Sequence, residues 1–155
     1  MTPNGNQVVR LEFTSAVEML DFVQVVSDHV GRTFGFDEDA IHWVGVAIRE
    51  SVINAIKHGN RYDATKRVFV DFESAAPADG AGMIVRVRDQ GEGFDPDTLA
   101  DPLDQDNLLK PSGRGIFLIR NFMDDVQLRR APEGGMEISM LKRVQPGAAD
   151  GSAQA

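Results

Sequence analysis

The stretch from Glu38 to about Lys57 constrains the fold more than any other part of the chain. At about 100° per residue, Ile41, Val44, Ile48, Val52 and Ala55 fall on one helical face. Trp43, Val46 and Ile53 flank it, so this helix is apolar nearly all round. Such a helix has to be covered on more than one side. Asp37 stands where its N-cap belongs. Strand periodicity surrounds it, in Gln7 to Phe13, Arg67 to Phe72 and Met83 to Arg88. Val126 to Arg130 and Met136 to Leu141 read as a final hairpin turned by Pro132-Glu-Gly-Gly135. Val17, Leu20, Val23, Ser27 and Val30 recur at helical spacing, with Thr14 or Ser15 and Glu18 placed for a capping box. Gly31 and Gly35 are expected to break that helix, and Ile116 to Asp124 to form a third. The order predicts an α+β fold, a two-layer α/β sandwich with a mostly antiparallel sheet covered on one face by helices.

Composition narrows the function classes. A chain of 155 residues supports one domain with a real core, expected over residues 1–145, and the Gly, Ala, Gln and Ser of 146–155 read as a disordered tail. A net charge of −8 argues against a nucleic-acid groove as the main surface. No apolar run reaches the roughly 18 residues of a membrane span. Met1 to Gln7 lacks the basic and apolar regions of a signal peptide, so a cytoplasmic protein is expected. Without cysteine there are no disulfides and no thiolate chemistry.

Three polar segments interrupt this apolar framework. On the long helix, Glu50 and Asn54 stand one turn apart, followed by Lys57 and His58. They read either as a solvated face closed by His58-Gly59-Asn60, or as a site. In the second reading Glu50 is a general base, Asn54 offers Mg²⁺ a carbonyl oxygen, and Lys57 and His58 meet phosphate oxygens. Asp89-Gln-Gly91-Glu-Gly93-Phe94 follows directly on a strand. It is either a plain β-turn or a carboxylate that accepts from the adenine amine, with Gly91 and Gly93 turning at positive φ against the flat ring. Ser112-Gly113-Arg114-Gly115-Ile116 precedes a helix. It is either a hinge or an anion cradle of backbone N–H groups with Arg114 on a phosphate. It lacks both the P-loop and the dinucleotide fingerprint. Taken in order, the three segments describe an ATP–Mg²⁺ pocket between a helix, a strand end and a lid over Asp95 to Ser112.

Glu50-x-x-x-Asn54-Ala-x-x-His58-Gly resembles the N box of the GHKL ATPases. Asp89-x-Gly91-x-Gly93-Phe94 resembles their G1 box, and Gly113-Arg114-Gly115-Ile116-Phe-Leu-Ile their G2 box. The likeness runs from about Val8 to Lys142 and is strongest to the short anti-sigma-factor serine/threonine-protein kinases of RsbW and SpoIIAB type. The resemblance implies a Bergerat-type sandwich that binds ATP and Mg²⁺. Glu50 would activate the acceptor hydroxyl, Asn54 would hold Mg²⁺, and Asp89 would read the adenine amine. The glycines would shape the adenine wall, and Arg114 with the amides around it would meet the phosphates. It also implies a homodimer whose partners are a sigma factor and an anti-anti-sigma (STAS) antagonist phosphorylated on serine or threonine. Met136 stands where the family commonly has threonine beside the adenine. The alternatives are a nucleotide-binding module that acts by sequestration alone, or the ATPase piece of a histidine kinase. For the latter, residues 1–36 offer only His29 as a phospho-acceptor.

Overall fold

The computed structural model describes residues 8–75, 81–92 and 111–144, apart from the side chains of 111–114. Its strands are β1 (Val8–Thr14), β2 (Arg67–Ser74), β3 (Gly82–Arg88), β4 (Asp125–Arg130) and β5 (Met136–Arg143). They form one antiparallel sheet in the order β1-β2-β3-β5-β4. The helices are α1 (Leu20–Thr33), α2 (Glu38–Asn54) and α3 (Pro111–Phe122). The predicted α+β sandwich with an antiparallel sheet is what forms.

Register puts the apolar alternation of every strand on one face. Val68 faces Phe13, Val70 faces Leu11 and Val87, Phe72 faces Val85, and Val87 and Val85 face Ile138 and Met140. These residues share one core with Leu20, Val23 and Val30 of α1, Ile41, Val44, Ile48 and Val52 of α2, and Ile119 of α3. The sheet's other face is laid with charges. Arg10 pairs with Asp71 and Arg67 with Glu12, each at 3.8 Å, while Arg86 meets Glu73 and Arg129 meets Glu137. Arg88 lies 4.3 Å from the centroid of the Phe69 ring. An antiparallel sheet with one dry and one wet face needs helices on one side only.

Asp37 caps α2 as expected, its carboxylate accepting from the Ala40 N–H at 2.8 Å. Trp43, on the flank of α2, stacks on Phe122 of α3 with ring centroids 4.4 Å apart.

Four local expectations fail. The capping box at Thr14, Ser15 and Glu18 does not form: a short 3₁₀ turn (Val17–Met19) leads into α1, and neither has a side-chain cap bond. The Thr14 hydroxyl donates instead to the Ala64 carbonyl at 2.8 Å, a partner fifty residues away. Gly31 does not break α1 but lies buried within it, where a Cβ would come 3.1 Å from Ile41 Cγ1; the break comes at Gly35, with φ +92°. The long helix does not run regularly to Lys57. It passes at Ala55 into a wider π-turn, Ala55–Gly59, closed by the Asn60 N–H on the Ala55 carbonyl at 2.8 Å. Finally, α3 begins at Pro111, so Gly113 and Gly115 lie inside its first turns rather than ahead of it. Proline suits a first helical position because its missing N–H has no partner there. The expected tail, residues 146–155, and residues 95–110 of the expected lid lie outside the described residues.

Candidate functional site

Three segments distant in sequence meet at one end of the sheet. Asp89 is the first residue after β3 and is 6% exposed. Its Oδ1 accepts from the Gly91 N–H at 2.9 Å and the Met136 N–H at 3.1 Å. Its own N–H donates to the Met136 carbonyl at 3.1 Å, which continues the β3–β5 ladder by one residue. No hydrogen bond from the described residues reaches Oδ2. Burial raises the Asp89 pKa above the ordinary carboxylate value, and the Gly91 N–H, the Met136 N–H and the Lys66 charge oppose that only in part. A buried acid with one oxygen held by backbone and the other uncommitted is prepared to accept from a ligand donor.

Glycine packs closely around this carboxylate. A Cβ on Gly59 would run into Asp89 Oδ2, one on Gly91 into the Gly59 carbonyl, and one on Gly135 into the Asp89 carbonyl. Gly135 also has φ +80°. Gly91, in contrast to the expectation, does not have positive φ; glycine is required there by the approach of the Gly59 backbone. The cradle around Asp89 is thus made by the end of α2, the residues after β3 and the β4–β5 turn, which glycine lets pack closely together.

The second part of the site lies between α2 and α3. Glu50 and Asn54 are half-buried and point toward Gly115, where a Cβ would stand 3.0 Å from Asn54 Nδ2 and 3.3 Å from Glu50 Oε2. Neither side chain has a hydrogen-bond or ion-pair partner among the described residues. The Asn54 amide oxygen is an uncommitted hard donor of the kind a magnesium ion takes, since that ion binds one or two protein oxygens and fills its remaining positions from water and phosphate. Ile116 follows half-buried in α3. Near the helix start, the N–H groups of Ser112, Gly113 and Arg114 belong to the first turn, which in any α-helix lacks internal acceptors. Lys57 and His58 sit exposed on the π-turn. Partial burial, and secondarily the Lys57 charge, lower the His58 pKa below its ordinary value. Gly93, Phe94 and the Arg114 side chain lie outside the described residues.

The structure therefore brings Glu50, Asn54 and Gly115 together, and separately Asp89, Gly91 and the end of α2. It also recruits residues that the sequence did not assign to the site or placed there for another reason. Gly59 and Gly135 form the wall of the cradle, and Met136 contributes a backbone N–H that does not depend on its side chain. Asn60 is fully buried; its Oδ1 accepts from the Gln90 N–H at 2.8 Å and its Nδ2 donates to the Arg67 carbonyl at 2.9 Å. A polar residue directly after His58-Gly59 was a visible signal, but it reads equally as a helix C-cap.

The chain is similar to known proteins over most of its length. A family profile described as a histidine kinase-like ATPase domain matches residues 13–142. The serine-protein kinase RsbW of Staphylococcus aureus is 26% identical over 144 residues, covering 88% of this chain and 87% of that protein. The serine-protein kinase RsbW of Staphylococcus epidermidis is 28% identical over the same shares. A solved Mycobacterium tuberculosis protein with RsbU and RsbW domains superposes with a TM-score of 0.61 at 16% identity, over 90% of this chain and 33% of that one, a likeness of fold. Matched over most of its length, and carrying the site at the sheet end where three of its segments converge, the chain belongs to the histidine kinase-like ATPase domain family.

Proposed function

We propose that this chain is an ATP-dependent serine/threonine-protein kinase that also acts as an anti-sigma factor, holding a sigma factor and phosphorylating a STAS-type antagonist. The observation that carries the nucleotide reading is Asp89: a buried carboxylate with one oxygen tied to backbone, the other uncommitted, and glycine on three sides. In this reading Oδ2 accepts from the adenine amine while Gly59, Gly91 and Gly135 let the surrounding backbone close around the carboxylate and hold it in place. Gly93 and Phe94 would extend that wall. The amides of Ser112, Gly113 and Arg114 at the start of α3 favour phosphate, helped by the helix dipole. Arg114, Lys57 and His58 would add charge or hydrogen bonds on the phosphates. Asn54 would hold Mg²⁺ through its amide oxygen, and the bound ion would supply charge neutralisation on the phosphates.

Glu50 is the proposed base. The acceptor hydroxyl gives its proton to the Glu50 carboxylate as its oxygen bonds to the γ-phosphorus; the bond from that phosphorus to the β–γ bridging oxygen breaks and ADP leaves. The names of the staphylococcal relatives support serine as an acceptor. Exposed Phe22 and Val25 on α1 support self-association, which sedimentation would measure. The decisive experiment incubates the protein with Mg-ATP and candidate STAS proteins and looks for phosphoserine or phosphothreonine. Glu50→Gln should lower transfer by about 10²–10⁴-fold while leaving ATP affinity in place. If labelling never appears, or Glu50→Gln transfers as well as the wild type, the protein is a nucleotide-dependent binder and no kinase.

A further inference from the structure

We propose that Asn60 is a positioning residue for base recognition: it clamps the Asp89 loop to the end of α2 and so sets where the purine 6-amino group is read. The assignment rests on the nucleotide reading above and adds to it a residue that touches neither base nor phosphate.

The geometry is a closed three-way joint. Asn60 Oδ1 takes the Gln90 N–H, and Asn60 Nδ2 reaches the Arg67 carbonyl at the start of β2. The Gln90 side chain returns the contact, its Oε1 accepting from the Arg67 N–H at 2.7 Å. Gln90 lies between Asp89 and Gly91, whose N–H in turn holds Asp89 Oδ1. Fixing Gln90 therefore helps fix the carboxylate that the Gly91 and Met136 N–H groups also hold. Nothing else among the described residues bonds the Gln90 N–H.

The chain is distorted in the way this joint requires. The π-turn shifts the end of the helix by one residue relative to an α-helical continuation, and the Asn60 side chain enters the interior there, 0% exposed. Immediately afterwards Arg61 and Tyr62, neither of them glycine, adopt φ of +52° and +59°. Single π-turns and left-handed non-glycine residues are both concentrated at functional sites. Here they stand beside the joint that ties the helix of Glu50 and Asn54 to the loop of Asp89.

The test compares ATP with purine riboside triphosphate, which lacks the 6-amino group, by calorimetric binding. Wild type should prefer ATP by about 10–100-fold, the worth of a hydrogen bond to a charged acceptor. Asn60→Ala should cut that preference by about tenfold while affinity for the analogue changes little, since a carboxylate misplaced by an ångström loses its partner. Asn60→Asp keeps the acceptor for Gln90 but loses the donor to the Arg67 carbonyl, so its preference should fall between those of Asn60→Ala and the wild type. Equal weakening of both ligands in Asn60→Ala, or an unchanged ratio, overturns the assignment and leaves the nucleotide reading intact; failure of wild type to bind ATP removes both. Should Asn60→Ala not fold, hydrogen exchange on the wild type decides: the Gln90 amide should be protected like its β3 neighbours, and exchange at a free-loop rate refutes the clamp.

Discussion

Asp89 is placed where a carboxylate is costly to keep charged, and that cost is the price of its proposed role. Because burial raises its pKa in the folded state, the protein holds this proton more tightly than the unfolded chain does. The associated stability is present at pH below the ordinary carboxylate value and is lost as pH rises through the raised pKa. Asp89→Asn, which keeps an acceptor for the Gly91 and Met136 N–H groups, should therefore be at least as stable as wild type at neutral pH. Its advantage should shrink on acidification, as denaturant titrations at the two pH values would record, while ATP affinity falls. His58 behaves in the opposite sense. Its folded pKa is lowered, so its contribution is present above the ordinary imidazole value and lost as pH falls through the folded one. An NMR titration should place its midpoint below 6.5. A nearby phosphate would raise that midpoint, so ATP should bind more tightly as pH falls through the same window. Asp89, Glu50 and Asn54 could be singled out as candidates from sequence, Glu50 and Asn54 as polar residues in a largely apolar helix and Asp89 as a carboxylate at a strand end before glycines. Asn60 could not, since its partners lie 7 and 30 residues away and nothing local distinguishes it from a cap.

At the scale of elements, α2 was legible almost completely. Four of its apolar residues share a face with Ala55 just beyond it, and all five are buried. What could not be read was how it ends, because a π-turn depends on where Asn60 finds its bonds, not on local propensity. The start of α3 was misread for a related reason: glycine is a poor helix former, so Gly113 and Gly115 look like loop. Gly115 is tolerated inside the helix because α2 lies against it. Gly115→Ala should improve local helix propensity, yet its Cβ would press on Asn54 and Glu50 at 3.0 and 3.3 Å. We expect phosphotransfer to fall by about tenfold or more from such a displacement, with little loss of thermal stability, so that kinetics and melting curves diverge. Equal activity in this variant would mean that α3 yields freely and that the two helices do not form a rigid pair of walls.

Across the whole molecule, stability should follow the dry face of the sheet and not the wet one. Phe72 on β2 is fully buried, and Phe72→Ala should cost about 3–5 kcal/mol. The ion pairs on the opposite face are partly exposed, and removing Arg10 or Glu12 should cost about 1 kcal/mol or less, measured by urea denaturation. That division was visible in the alternation of each strand, whereas the strand order, with β5 inserted between β3 and β4, follows from long-range pairing that no local pattern encodes. The stacked pair of Trp43 and Phe122 carries one more implication. The chain has a single tryptophan, and its ring rests on α3, the helix whose other end carries Gly113 and Gly115. The indole is thus a native optical probe: its emission maximum and quenching report the separation of the site's two helical walls, with no label and no second tryptophan to subtract.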